Sequence, residues 1–158
     1  MKVKISAPDF GLCQEELKKF TRKFGQTAGV TIGFHAGDPD PRTDKDGKRA
    51  ASNAEKAAWN HFGTKTTPAR PFLDVAILNR TDFIKRFIQV ELAKGKTPLQ
   101  IMESLGPQGV RAVQEQIDET LSPPNAPSTI RRKGSSKPLQ DSGNMRQHVT
   151  YRVHKGEK

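Results

Sequence analysis

Asp38, Asp40, Asp44 and Asp46 crowd one short stretch that leads into Gly47, and aspartates at alternate positions ahead of a glycine can ligate calcium. Setting Gly47 at the turn position of an EF-hand loop puts Asp44 and Asp46 where ligands belong. The first ligand position then falls on Arg42 and the last on Asn53, so the two most important ligands fail. An exposed turn between elements is the better account. The histidines are His35, His61, His148 and His154. If the strands holding His35, His148 and His154 are neighbours, those three share one polar face. Zinc would need them to converge, with outer partners orienting the rings, and the spacing gives no sign of convergence.

Covalent catalysis has no stronger footing. Ser135-Ser136 lies in a basic stretch without a Gly-x-Ser-x-Gly elbow, and Cys13 falls on a predicted helix with no histidine partner in view. Gly106-Pro107-Gln108-Gly109 is too short to cradle phosphate, and Gly95-Lys96-Thr97 lacks the upstream glycine of a P-loop. No enzyme is expected, and no cofactor. Arg131-Arg132-Lys133, with Lys137 following, is the constellation with reach. Adjacent cations flanked by Thr129, Gly134 and Ser135 can hold phosphates without reading bases. No aromatic residue is interleaved, so the stacking expected of a single-strand binder is missing. The preferred account is an assembly loop whose cations meet acidic residues on a neighbouring subunit; direct phosphate contact is the alternative.

The elements that must position these residues follow from periodicity. Val3 and Ile5 alternate with polar neighbours, which predicts a short first strand. Leu12, Glu16, Phe20 and Phe24 lie one turn apart, predicting a helix closed by Gly25. Val30, Ile32 and Phe34 alternate as a second strand, and residues 37–48 form a Gly/Asp/Pro loop. Ser52 and Glu55 are spaced as a capping box for a helix that carries Ala58, Trp59 and Phe62 and stops at Gly63. Pro71 suits a helix N1 position, and the spacing from Phe72 to Leu92 predicts one helix reaching Lys94. Thr97 and Gln100 cap the next, with Leu99, Met102 and Leu105 apolar, until Gly106-Pro107 breaks the chain. Val110, Val113, Ile117 and Leu121 form the last full helix, ended by Ser122-Pro123-Pro124. Asp141 is expected to cap a single turn through Met145. The closing strand places Val149, Tyr151 and Val153 on one face and His148, Thr150, Arg152 and His154 on the other.

The chain has 158 residues, which predicts one domain with a modest core. Only 33% of residues are apolar and mean hydropathy is -0.73, so long loops or surface buried on assembly are expected. Lys and Arg number 27 against 17 Asp and Glu, a net +10 that attracts polyanions. Residues 122–158 hold 8 Lys or Arg and 2 Asp or Glu, which is +6 of that total. The single Cys13 excludes an internal disulfide and fits a reducing compartment. The alternation of Met1 to Ala7 predicts no secretory leader, and no window has the length of a membrane span. A soluble protein of the cytoplasm, or of a particle assembled there, is expected.

Two stretches carry a family likeness. One runs from His61-Phe62-Gly63-Thr64 to Pro68-Ala69-Arg70-Pro71-Phe72-Leu73. The other is Pro123 to Val153, above all Asn125-Ala126-Pro127-Ser128-Thr129-Ile130, Arg132-Lys133-Gly134, Pro138-Leu139 and Asp141-Ser142-Gly143. In this order they resemble the phage tail-completion family, small neck proteins that join a tail to a DNA-filled head. With the helices between them they span about two thirds of the chain. Family members usually show Thr where this chain has Ser142, and either hydroxyl can cap. The resemblance implies an α+β fold, a small antiparallel sheet packed against several helices, with the first and last strands contributing. It also implies long loops and an extended basic C-terminal segment, so that residues 1–121 form a core and 122–158 complete the same domain. It further implies a ring, commonly hexameric, that meets the head connector on one side and the tail tube or its terminator on the other. DNA would pass through it. Arg70 is expected to project from its corner as an assembly contact, with Arg131, Arg132, Lys133, Lys137 and Asp141. A chain ended after Leu121 is expected to stay soluble and helical but no longer join heads to tails.

Overall fold

A computed structural model describes residues 27–35, 51–140 and 143–156. The predicted first strand at Val3 and Ile5, the helix at 12–24, the 37–48 loop and Asp141-Ser142 lie outside the described residues. The architecture is α+β. Strand β1 (Ala28–Gly33) is followed by helices α1 (Asn53–Phe62), α2 (Phe72–Leu78), α3 (Thr81–Ala93), α4 (Pro98–Glu119), α5 (Pro127–Lys133) and α6 (Asn144–Gln147). Strand β2 (Thr150–Lys155) closes the order. The strands pair antiparallel, with Val30 opposite Val153 and Ile32 opposite Tyr151. Among the described residues no helix is long and apolar enough to cross a membrane.

Helix α4 is the spine. Its 22 residues run straight through Gly106-Pro107, where the sequence predicts a break. Pro107 removes one backbone bond, at a typical cost of about 3 kcal/mol. That loss is outweighed because Ile101, Met102, Leu105, Ala112, Val113 and Ile117 are buried on both sides of it, at about 1.5–3 kcal/mol for each large apolar side chain. The glycines also serve the packing. A methyl group built at Gly106 would overlap the Tyr151 ring, and one at Gly109 would overlap Ile32. Small residues at this step let the sheet lie directly on the helix.

Residues 72–93 do not form one helix. The chain turns at Asn79-Arg80, where the Arg80 N–H reaches back only to the Ile77 carbonyl, at 3.1 Å. The cause is a mismatch of faces. At about 100° per residue, Ile84 and Ile88 would stand about 120° around a continuous helix from Phe72 and Ala76. The turn lets α2 bury Phe72 and Ala76 against Val113 and Ile117. Helix α3 then lays Ile84, Phe87, Ile88 and Leu92 against Ile101, Met102 and Leu105. Pro71 sits at the N-cap of α2, one position earlier than the sequence predicts.

The predicted caps form. Ser52 and Glu55 exchange bonds at 3.1 and 2.7 Å, and Thr97 and Gln100 do the same at 3.4 and 3.0 Å. Gly95 closes α3 with φ 80°, and the buried Glu91 there takes Lys94 at 2.7 Å, with Lys96 at its other oxygen. Hydrogen bonds from Lys94 and then Lys96 hold the Glu91 carboxyl below the ordinary glutamate range, against the opposing effect of desolvation.

The C-terminal segment belongs to the core. Leu139, Met145 and Val149 are buried with Ala57, Phe72, Ala76, Val113 and Ile117 in one cluster. A chain ended after Leu121 loses these three side chains and the only partner strand of β1 among the described residues. It is therefore expected to unfold in part, which corrects the reading from sequence.

A candidate assembly surface on the basic helix

The connector after α1 is fixed by local chemistry. Gly63 ends the helix at φ 77°, and a Cβ there would come within 2.9 Å of the Ala69 nitrogen. Thr64 Oγ1 accepts from the Thr66 and Thr67 N–H groups, and the Thr64 N–H donates to the Thr67 carbonyl at 2.8 Å. This tight loop delivers Arg70 inward. Its residue is only 3% exposed, so the projecting contact expected from sequence is not what the chain builds. Arg70 Nε donates to the Pro123 carbonyl at 2.7 Å and Nη2 to the Pro124 carbonyl at 3.1 Å. Nη1 reaches Asn60 Oδ1 at 3.4 Å, and the Arg70 N–H donates to the Asn60 carbonyl at 2.7 Å. Burial lowers the guanidinium pKa from its ordinary value. The side chain remains the charged donor that the two carbonyls require.

These bonds fasten the start of the basic segment, which is a helix where the sequence predicts a loop. Pro127 stands in the first turn of α5, and Gly134 ends it in the left-handed region with φ 71°. Both positions follow the proline-start, glycine-end asymmetry of helices. Arg131, Arg132 and Lys133 occupy the last turn, where cations also complement the helix dipole. Past the helix, Asn125 Nδ2 donates to the carbonyls of Ser136 and Lys137 at 3.3 and 3.1 Å. Lys133 Nζ donates to the carbonyls of Lys137 and Pro138 at 3.0 and 3.2 Å.

The predicted site residues therefore divide. Arg70 and Lys133 hold the segment together. Arg131, Arg132 and Lys137 are exposed, and their side chains make no hydrogen bond or ion pair among the described residues. Asp141 lies outside the described residues, and the single turn after it spans Asn144–Gln147 with Gly143 at the N-cap. What remains is an outward pair of arginines on a short helix locked from beneath.

Sequence reasoning missed the wall facing α5. Asn53, Lys56 and Asn60 fall at i, i+3 and i+7 on α1, a polar face on a helix whose Ala57 is buried. That spacing was the available signal. With Trp59, Arg132 and Lys133 they line a cleft of about 370 Å³ between α1 and α5.

Among the described residues no three His, Cys, Asp or Glu side chains gather as metal ligands would. His35 and His154 do share a face, each bonded to the Thr31 hydroxyl, at 3.1 and 2.9 Å. His148 bonds its own turn at the Asn144 carbonyl instead. His61 is buried edge-on against Phe62 and Phe72, with Nε2 3.3 Å from Asp74. Compared with known proteins, the chain matches no family model, no curated protein and no solved structure.

Proposed function

We propose that the chain is a structural virion protein of a tailed phage, a tail-completion or neck component with no catalytic role. It joins the tail to the head connector and surrounds the DNA path, working as a ring of copies of itself between the connector and the tail tube or terminator. The observation that carries this reading is the contact of Arg70 with Pro123 and Pro124. It unites in space the two separated sequence blocks that carry the family likeness, and so gives each block a physical reason. Their joint product is the outward Arg131-Arg132 pair.

Surface composition supports the same reading. Phe83 and Val90 lie two turns apart on α3 and are 45% and 51% exposed, and Trp59 and Phe62 on α1 are 49% and 57% exposed. Large apolar side chains left in solvent by the monomer are what later assembly would bury. The test is location. Gold-labelled antibody against the chain should mark purified virions at the head–tail junction, and virions without the label there would overturn the proposal.

A second reading has a specific observation behind it. Arg131, Arg132 and Lys137 are cations without partners among the described residues, as a phosphate-contacting accessory protein would require. Salt-sensitive affinity of the isolated chain for DNA distinguishes it.

A further inference from the structure

Each copy of the chain carries two different exposed apolar patches, and we infer that they dock on one another between neighbouring copies, head to tail. The first presents Phe83 and Val90 from α3, the helix packed on Ile101, Met102 and Leu105. The second presents Trp59 and Phe62 from α1, which joins the other core cluster through Ala57. The inference rests on the reading of the chain as a ring of its own copies, and it names the surfaces that close that ring.

Charge selects the occupant. At the α1 patch, Arg132 lines one cleft with Trp59, and its exposed side chain has no partner among the described residues. At the α3 patch, Asp82 stands in the first turn beside Phe83, exposed and likewise without a partner among the described residues. Asp82 of one copy supplies the carboxylate that Arg132 of the next copy lacks. Arg86, exposed one turn beyond Asp82, supplies a cation for the half-exposed ring of Trp59. Tryptophan is the aromatic side chain that attracts cations best. Aromatic and arginine side chains are also the ones that subunit contacts concentrate. A contact between two different patches leaves one of each kind open at the ends. Copies therefore add until the series closes on itself.

Trp59 is the only tryptophan in the chain, so a variant without it is silent in emission. Phe83→Ser with Val90→Ser keeps Trp59 and loses the α3 patch. Trp59→Ser with Arg132→Glu keeps the α3 patch and loses the other. All four side chains are exposed, so both full-length variants should match wild type in circular dichroism. Each alone should sediment as a monomer at about 100 μM, where wild type forms larger species. Mixed, they should form a complex with one copy of each and no larger species, while Trp59 emission shifts to saturation. In a second test, Arg132→Glu alone should weaken wild-type assembly about tenfold, and adding Asp82→Arg should recover it. A dimer of either variant alone would show a patch docking on itself. No shift in the mixture would show another occupant. Either result overturns the inference, as does a wild-type monomer at that concentration or a failure of Asp82→Arg to recover assembly. Gold labelling at the head–tail junction tests the neck reading separately, so the two can fail independently.

Discussion

Arg70 Nε lies 2.7 Å from the carbonyl oxygen of Pro123, a residue 53 positions further along the chain. One buried guanidinium thereby ties the corner before α2 to the start of the basic segment. The contact converts what reads as a tail into part of the domain, and it positions α5 against α1.

Replacing Arg70 should show how much depends on this tie. Arg70→Ala strands two proline carbonyls and Asn60 Oδ1, and should cost about 3 kcal/mol in urea unfolding. Arg70→Lys should recover little of that, because an ammonium cannot reproduce the planar fork that reaches both carbonyls. Full stability of Arg70→Lys would show that charge alone is enough.

The packing of the sheet on α4 predicts an ordering of two alanine substitutions. At Gly106 the obstacle is the Tyr151 ring, which is 39% exposed and has room to swing outward. The better helix propensity of alanine, about 1 kcal/mol, should leave Gly106→Ala near neutral. At Gly109 the obstacle is Ile32, held between strand and helix, so Gly109→Ala should destabilise by about 1–2 kcal/mol. Thermal melts of the two variants give the comparison, and the reverse order would contradict this packing.

Much of this fold is legible in the sequence, and the exceptions have physical causes. The capping boxes at Ser52 and Thr97, the stops at Gly63 and Gly95 and a closing strand through Tyr151 and Val153 are local signals, and the structure keeps them, although β2 begins only at Thr150, after His148 and Val149. Pro107 misleads because local propensity is overruled by burial along the whole of α4. The turn at Asn79-Arg80 is hidden because the apolar residues either side of it each keep helical spacing, and only their relative phase betrays the break. Arg70 misleads for a different reason. Nothing local says that an arginine at a corner will find two carbonyls far along the chain.

Stability on the acid side should depend on Glu91. Its folded-state value lies below the unfolded one, so its contribution is fully present above the ordinary value of 4.5 and is lost as pH falls through the folded value. Unfolding measured from about pH 6 down to about pH 3 should lose part of its slope in Glu91→Gln. An unchanged acid limb would remove Glu91 from the account.

The outward arginines should be dispensable for folding. Arg131→Glu with Arg132→Glu should change stability by less than about 0.5 kcal/mol, since neither side chain has a partner among the described residues. On the neck reading, wild-type affinity for duplex DNA should be weak and non-specific at physiological salt. Tight binding that falls steeply with salt, and is abolished in the double variant, would favour the phosphate-contacting reading.

The most direct measurement is joining itself. On the neck reading, extracts of a phage that encodes this chain, with its gene deleted, should contain full heads and finished tails that remain separate. Adding the purified wild-type chain should yield joined, infectious particles, and the Arg131→Glu, Arg132→Glu variant should yield few. Joined particles in the deleted extract, or no gain on adding the wild-type chain, would contradict the account.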